Sequence, residues 1–219
     1  CYLSRKHGLT LDNLVSADVV LADGSLVEAS ESSEPDLFWA LRGGGGNFGV
    51  VTSFVYKAHP LGPEVMTCLC YYDFENAGDV FRFYREYADS APDELAAYMF
   101  AAKVPPAPHF PEEYVGRPCL IIHSCYAGSV EGGREALKPI ADFGDPFFKA
   151  YAPMKFTELQ EAFNPGVPHG KRYYWKAVNL AKIEDGLVDV VSEYCSSIPG
   201  EYVLLGIEPL GGAINRVEP

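Results

Sequence analysis

The stretch Asp36-Leu37-Phe38-Trp39-Ala40-Leu41-Arg42-Gly43-Gly44-Gly45-Gly46-Asn47-Phe48-Gly49-Val50-Val51-Thr52 decides how this chain is read. Gly44, Gly46 and Gly49 satisfy G-x-G-x-x-G. In a dinucleotide-binding fold that pattern follows a strand and opens a helix, so that a pyrophosphate meets a helix N-terminus. Here the order is reversed. Ser32 or Ser33 is placed to cap a helix with Pro35 in its first turn. Leu37, Phe38 and Leu41 supply its apolar stripe, and Arg42 with the glycines ends it. After the glycines, residues 50–58 are rich in β-branched and aromatic side chains and read as a strand. The glycines are therefore read as a sharp turn that brings backbone close to another chain segment or a cofactor, not as a Rossmann site.

Upstream, residues 14–21 and 26–29 flank Ala22-Asp23-Gly24-Ser25, a hairpin pattern. Downstream, Pro60, Gly62 and Pro63 disfavour continuation of strand or helix and set a domain junction, giving residues 1–60 and 61–219. Beyond it, extended patterns near 65–72, 96–103, 119–126, 147–152, 173–180 and 201–208 alternate with helical ones at 77–90, 130–143, 156–163 and 184–196. A proline-rich loop runs over 105–118. Polar residues interleave with apolar ones in 173–180, which favours an antiparallel sheet covered by helices on one face. The fold class is α+β.

Composition narrows the function. Seventeen Lys and Arg against thirty Asp and Glu give a formal charge of −13, which repels a phosphate backbone, so no nucleic acid is expected as partner. No run approaches the ~18 apolar residues of a membrane span, so no membrane is expected either. The six cysteines form no CxxC pair, and His7, His59, His109, His123 and His169 have no HxH or HxxxH spacing, so no metal site is expected. With no charged-then-apolar leader, the cysteines are expected to be buried thiols of a reducing compartment, and the localisation cytoplasmic. The abrupt start at Cys1 suggests a chain that begins in mid-domain.

Three segments occur in an order that carries a resemblance: Ser4-Arg5-Lys6-His7-Gly8-Leu9-Thr10-Leu11-Asp12-Asn13-Leu14, then Asp23-Gly24, then Asp36 through Thr52. Together they resemble the FAD-linked oxidases of the berberine bridge enzyme-like type, within the vanillyl-alcohol oxidase superfamily with its PCMH-type FAD-binding domain. The likeness is most specific over residues 2–58. Lys171-Arg172-Tyr173-Tyr174-Trp175-Lys176 and Gly211-Gly212-Ala213-Ile214-Asn215-Arg216-Val217 look like substrate-domain signatures of the same enzymes. The family's pyrophosphate loop and flavin-tethering histidine match nothing in this sequence, which therefore reads as a middle fragment.

The resemblance implies FAD in the complete enzyme and its absence from this chain alone, which is expected to be inactive. It implies hydride transfer from a small organic substrate to flavin N5, with molecular oxygen as the acceptor. By the same resemblance Leu3, Ser4 and Gly8 belong to the stretch lining the flavin, and Gly49, Val50 and Val51 to the segment passing its adenine side. Read as residues alone, Ser4 is a local turn hydroxyl and Val50-Val51 the start of a strand. A non-catalytic binding module is the alternative function.

Lys176 lies between Trp175 and Ala177 in an aromatic and apolar run, where burial would lower its pKa and make it a base. In the family the matching lysine faces flavin and substrate, and strand alternation puts Tyr174 on the same face. Lys176 and Tyr174 are the candidate catalytic residues; a lysine snorkelling from a strand edge is the structural alternative. Tyr71, Tyr72, Tyr98 and Tyr151 suit a pocket for flat or ring-shaped molecules as well as a core. Self-association is expected through apolar surface on residues 1–58.

Overall fold

The computed structural model describes residues 1–217. It has an α+β architecture in two compact units. The first comprises Cys1, Leu3–Pro60 and the chain from Leu210, and the second Tyr2 and Leu61–Pro209.

In the first unit a short helix α1 (Ser4–His7) precedes β1 (Leu14–Val20), β2 (Leu26–Ser30), α2 (Pro35–Leu41) and β3 (Val50–Tyr56). The strands form an antiparallel sheet in the order β2-β1-β3. The hairpin turns as its residues require: the Asp23 carboxylate accepts hydrogen bonds from the Ser25 N–H and hydroxyl, and Gly24 takes φ +84°. Phe38 of α2 packs with Leu14, Ala17, Val19 and Ala29 in a small core. The helix starts differently from the expectation. Its N-cap is Glu34, at φ 50° and with no side-chain cap. Ser33 is engaged elsewhere, its N–H and C=O bonded to Ser30 in the turn that follows β2.

The second unit is built on a five-stranded antiparallel sheet in the order β7-β4-β6-β5-β8. Its elements are β4 (Glu64–Asp73), α3 (Ala77–Ser90), β5 (Leu95–Lys103), β6 (Pro118–Tyr126), α4 (Val130–Asp142), β7 (Phe148–Lys155), α5 (Phe156–Glu161), α6 (Asp185–Cys195) and β8 (Leu205–Ile207). Period-two alternation gives the sheet two distinct faces. Met66, Cys68, Cys70 and Tyr72 of β4, with Met99 of β5 and Ile122 of β6, pack against Phe81 and Tyr84 of α3, Leu137 and Ile140 of α4 and Val188 of α6. Gly133 allows the close approach of α4, since a Cβ there would stand 2.4 Å from the Met66 Cβ. The alternate residues, Val65, Thr67, Leu69, Tyr98, Phe100, Ile121, His123 and Cys125, form the opposite face.

Two expected strands are corrected. Residues 173–180 form no strand, and 201–208 contains only the three-residue β8. Alternation makes a segment fit for a pleated surface, but a strand exists only through its ladder. Among the described residues 173–180 has no ladder partner; β7 and β8 end the sheet. Its side chains are consequently exposed. No helix among the described residues is long and apolar enough to cross a membrane.

Candidate active site

The sheet face of the second unit opposite α3, α4 and α6 is closed at one end by Phe110, packed with Tyr71, Cys119 and Ile121, and at the other by Leu159 of α5, packed with Val65 and Cys125. Between these caps stands His123. Its register partners are Leu69 on β4 and Tyr98 on β5, so the three side chains share the face. Tyr2 lies over them, its hydroxyl 3.3 Å from His123 Nδ1 and its ring edge-on to both His123 and Tyr98 at 5.5 Å. Phe163 meets the imidazole edge-on at 4.9 Å and Phe100 at 5.9 Å.

Burial sets the protonation of this group. Removed from water, the imidazolium form loses its solvation, and the His123 pKa falls to about 4. The Tyr2 phenol rises to about 12, first through burial and then through the negative potential of Cys125 and Glu208. At neutral pH the pair is a neutral imidazole and an intact phenol. It can donate and accept hydrogen bonds without presenting charge. Phe163 is more than a third exposed, and Tyr2, Leu69 and Phe100 are half-buried, so the rim is aromatic and accessible.

The residues expected to contact the cofactor all lie in the first unit. Leu3 is half-buried at the start of α1. The Ser4 hydroxyl donates to the Cys1 carbonyl at 2.8 Å, a local turn contact. Gly8 takes φ +80°, and a Cβ there would strike the Asp12 carboxylate at 2.8 Å. Gly49 takes φ +148°, and its Cβ would stand 2.6 Å from the Val20 carbonyl oxygen. The close approach it permits is thus to β1. Val51 pairs with Val19 and joins the small core, whereas Val50 is 68% exposed. Gly43 and Gly46 face open space, with no atom within 4 Å of an added Cβ. An open glycine turn beside the exposed Val50 fits the approach of a planar cofactor read by backbone groups.

Tyr174 and Lys176 lie outside any strand, and both are exposed, Tyr174 to 84%. The Lys176 ammonium lies 5.8 Å from the Tyr174 ring centroid. They are neighbours, as expected, but the burial expected of Lys176 is absent. Tyr98 joins the face that carries His123; Tyr72 and Tyr151 lie against α4, their hydroxyls bonded to Ile140 and Arg134 carbonyls. Tyr2 falls within the stretch that the resemblance sets along the flavin, but sequence reasoning gives His123 no role and does not pair the two. A signal for His123 existed: it is the imidazole within the apolar strand Cys119–Tyr126, and its parity with Ile121 and Cys125 places it away from Ile122.

No family model matches the chain. By sequence, it is 49% identical over its whole length to "Xylooligosaccharide oxidase" of Thermothelomyces thermophilus, covering 45% of that protein. It is 27% identical over 98% of its length to "FAD-linked oxidoreductase DDB_G0289697" of Dictyostelium discoideum, again covering 45%. By superposition, it matches the solved xylooligosaccharide oxidase from Myceliophthora thermophila C1 in complex with xylobiose with a TM-score of 0.77. There 26% of paired residues are identical, and all of this chain covers 47% of that one. Physcomitrella patens BBE-like 1 shares the fold at a TM-score of 0.75 and 20% identity, with 48% of that chain covered. The chain thus spans about half the length of the relatives it matches. Over that half, the chain is similar in sequence to a xylooligosaccharide oxidase and to an FAD-linked oxidoreductase, and it shares its fold with a BBE-like protein.

Proposed function

We propose that the whole protein is an FAD-dependent oxidase that acts on a neutral, ring-shaped substrate, an oligosaccharide in particular, and passes electrons to molecular oxygen. The observation that carries this reading is the uncharged His123–Tyr2 pair within an aromatic rim on the sheet face opposite α3, α4 and α6. Ligand sites are mostly apolar, with a few polar groups that fix orientation. Phe100 and Phe163 offer faces and edges for the C–H surfaces of a sugar ring, the buried Tyr98 backs them, and His123 and Tyr2 would offer hydrogen bonds for its hydroxyls. The similarity to a xylooligosaccharide oxidase over the whole chain supports the substrate class.

Leu3, Ser4, Gly8, Gly49, Val50 and Val51, with the open turn at Gly43–Phe48, are proposed to hold FAD. Ser4 and Gly8 would act through backbone groups, because the serine hydroxyl is engaged and Gly8 has no side chain. When bound, FAD supplies the hydride acceptor at N5. A low-basicity imidazole positions a substrate hydroxyl rather than removing its proton. Proton acceptance is therefore proposed for Tyr174 or Lys176.

The test uses the full-length flavoprotein with neutral xylo- and gluco-oligosaccharides, followed by oxygen uptake and flavin absorbance. Oxygen consumption that is saturable in oligosaccharide is the expected outcome. Bleached flavin without oxygen uptake would replace the oxidase with a dehydrogenase. Flavin indifferent to every neutral sugar would remove the substrate class.

A further inference from the structure

Cys68 and Cys70 stand on the helix-facing side of β4, fully buried, with their sulfurs 3.7 Å apart. Neither belongs to the face that carries His123. Alternation along one strand brings two thiols to the same side, and α4 closes over them: Cys70 Sγ lies 3.9 Å from the Ile140 carbonyl and the Tyr72 hydroxyl 3.4 Å from the same oxygen. Around the pair, Lys149 is the register partner of Cys70 and Ser124 the partner of Cys68. The Ser124 hydroxyl is buried and has no hydrogen-bond partner. The two sulfurs share a hydrogen bond that either thiol can donate, and burial opposes the ionisation of both.

We propose that Cys68 and Cys70 form a dithiol site that takes trivalent arsenicals, beneath α4. With bonds to sulfur of about 2.3 Å, as for zinc, a centre bridging two sulfurs at the observed spacing makes a bent angle. A bent, low-coordinate centre therefore suits the pair. A tetrahedral ion would require two further ligands, and among the described residues no group of three or more His, Cys, Asp or Glu assembles. Trivalent arsenic, soft and pyramidal, needs only two sulfurs and its own organic substituent.

The reaction balances without an oxidant. An arsonous acid, R–As(OH)2, exchanges both As–O bonds for As–S bonds, and each hydroxyl leaves as water with one thiol proton. Access is available without global unfolding. β7 is an edge strand, so the pair lies one strand in from solvent. The covering helix contains Gly132, Gly133 and Pro139, which weaken its ladder and favour local opening. The site is also mechanically linked to the opposite face: Leu69, between the two cysteines, is the register partner of His123.

The experiment treats the folded protein with phenylarsonous acid, removes excess reagent by gel filtration, and reads the intact mass and the modified peptide. One phenylarsenic group per chain is expected, bridging Cys68 and Cys70, and reversed by 2,3-dimercaptopropanol. In C68S and C70S the retained adduct should fall at least tenfold. Peptide mapping on the wild-type protein keeps the test decisive should either variant misfold. An adduct mapped to other cysteines, or equal retention in a single variant, overturns the proposal. So does a wild-type protein that stays unmodified in urea just below its unfolding transition.

Discussion

The Tyr2 hydroxyl lies 3.3 Å from Nδ1 of His123, a contact across 121 positions of chain. It ties the residue beside the N-terminus to the middle strand of the larger sheet. A neutral imidazole accepts a hydrogen bond from the phenol with one ring nitrogen and keeps an N–H on the other. Protonation would convert both nitrogens to donors and forfeit that acceptor. The Tyr2 phenol oxygen can then accept from Nδ1–H, so the cost of protonating His123 is the lost solvation of a buried imidazolium.

This predicts a pH dependence of stability with a definite sign. The His123 pKa is about 4 in the folded chain against an ordinary value of 6.5. Between those values the unfolded chain binds a proton that the folded chain refuses, so stability falls as pH falls through the window. Above about 6.5 the cost is absent, and below about 4 it is complete. The shift corresponds to a loss of about 3 kcal/mol. Urea unfolding at pH 7, 5.5 and 4 measures it, and His123→Gln should flatten the decline by that amount. An unchanged slope in the variant would place the pH sensitivity elsewhere.

The glycine turn allows a structural effect to be separated from a cofactor effect. Gly49→Ala introduces a Cβ 2.6 Å from the Val20 carbonyl oxygen and 2.7 Å from the Val19 side chain, at φ +148°. Neither neighbour is a flexible tip, so the β1–β3 pairing should weaken by about 2–4 kcal/mol. Gly46→Ala, which meets nothing, should change stability by less than about 0.5 kcal/mol. Thermal unfolding of both variants checks the pair. If Gly46→Ala nonetheless lowers flavin content of the whole protein, the open turn contacts the cofactor.

The units differ in how much their sequence reveals. The hairpin and α2 rest on local signals: Asp23-Gly24 at the turn, Pro35 at the first helical position, glycines at the end. α3 and α4 rest on apolar stripes of several turns. Residues 173–180 carry just as clear an alternation, yet their state depends on a distant ladder partner, which no local pattern encodes. The candidate site fails for the same reason. His123, Tyr98 and Tyr2 meet through strand register and a contact from the N-terminus, and neither leaves a trace in spacing. The family resemblance directed attention to Lys176, whose motif is contiguous.

The first unit should self-associate. β3 is an edge strand and exposes Val50, Phe54, Val55 and Tyr56, an apolar surface with an unpaired backbone edge beside it. Phe54 has half its surface exposed and lies outside the small core, its ring 5.7 Å from that of Tyr56. Phe54→Asp is expected to shift the sedimentation profile of this chain toward monomer and to leave its unfolding midpoint unchanged. A wild-type chain that sediments as monomer at tens of micromolar would remove the basis for this prediction.

The role proposed for Lys176 has a kinetic test. The side chain is exposed and has the Tyr174 ring as its neighbour, so Lys176→Met should leave folding and flavin content intact. If its neutral amine accepts the substrate proton during hydride transfer, the methionine removes that group and keeps most of the side-chain length. Flavin reduction by saturating oligosaccharide, followed by stopped-flow absorbance in the complete enzyme, should then slow at least tenfold, about 1.4 kcal/mol of barrier. A merely structural lysine predicts something different: a change in substrate affinity or in unfolding midpoint, with the limiting reduction rate preserved. Tyr174→Phe supplies the companion measurement, because it keeps the ring and removes only the hydroxyl. If the two single variants and the double variant reduce flavin equally slowly, both residues serve one proton transfer. If Lys176→Met reduces flavin at the wild-type rate, proton removal passes to another group, and Lys176 is left with its stacking on Tyr174.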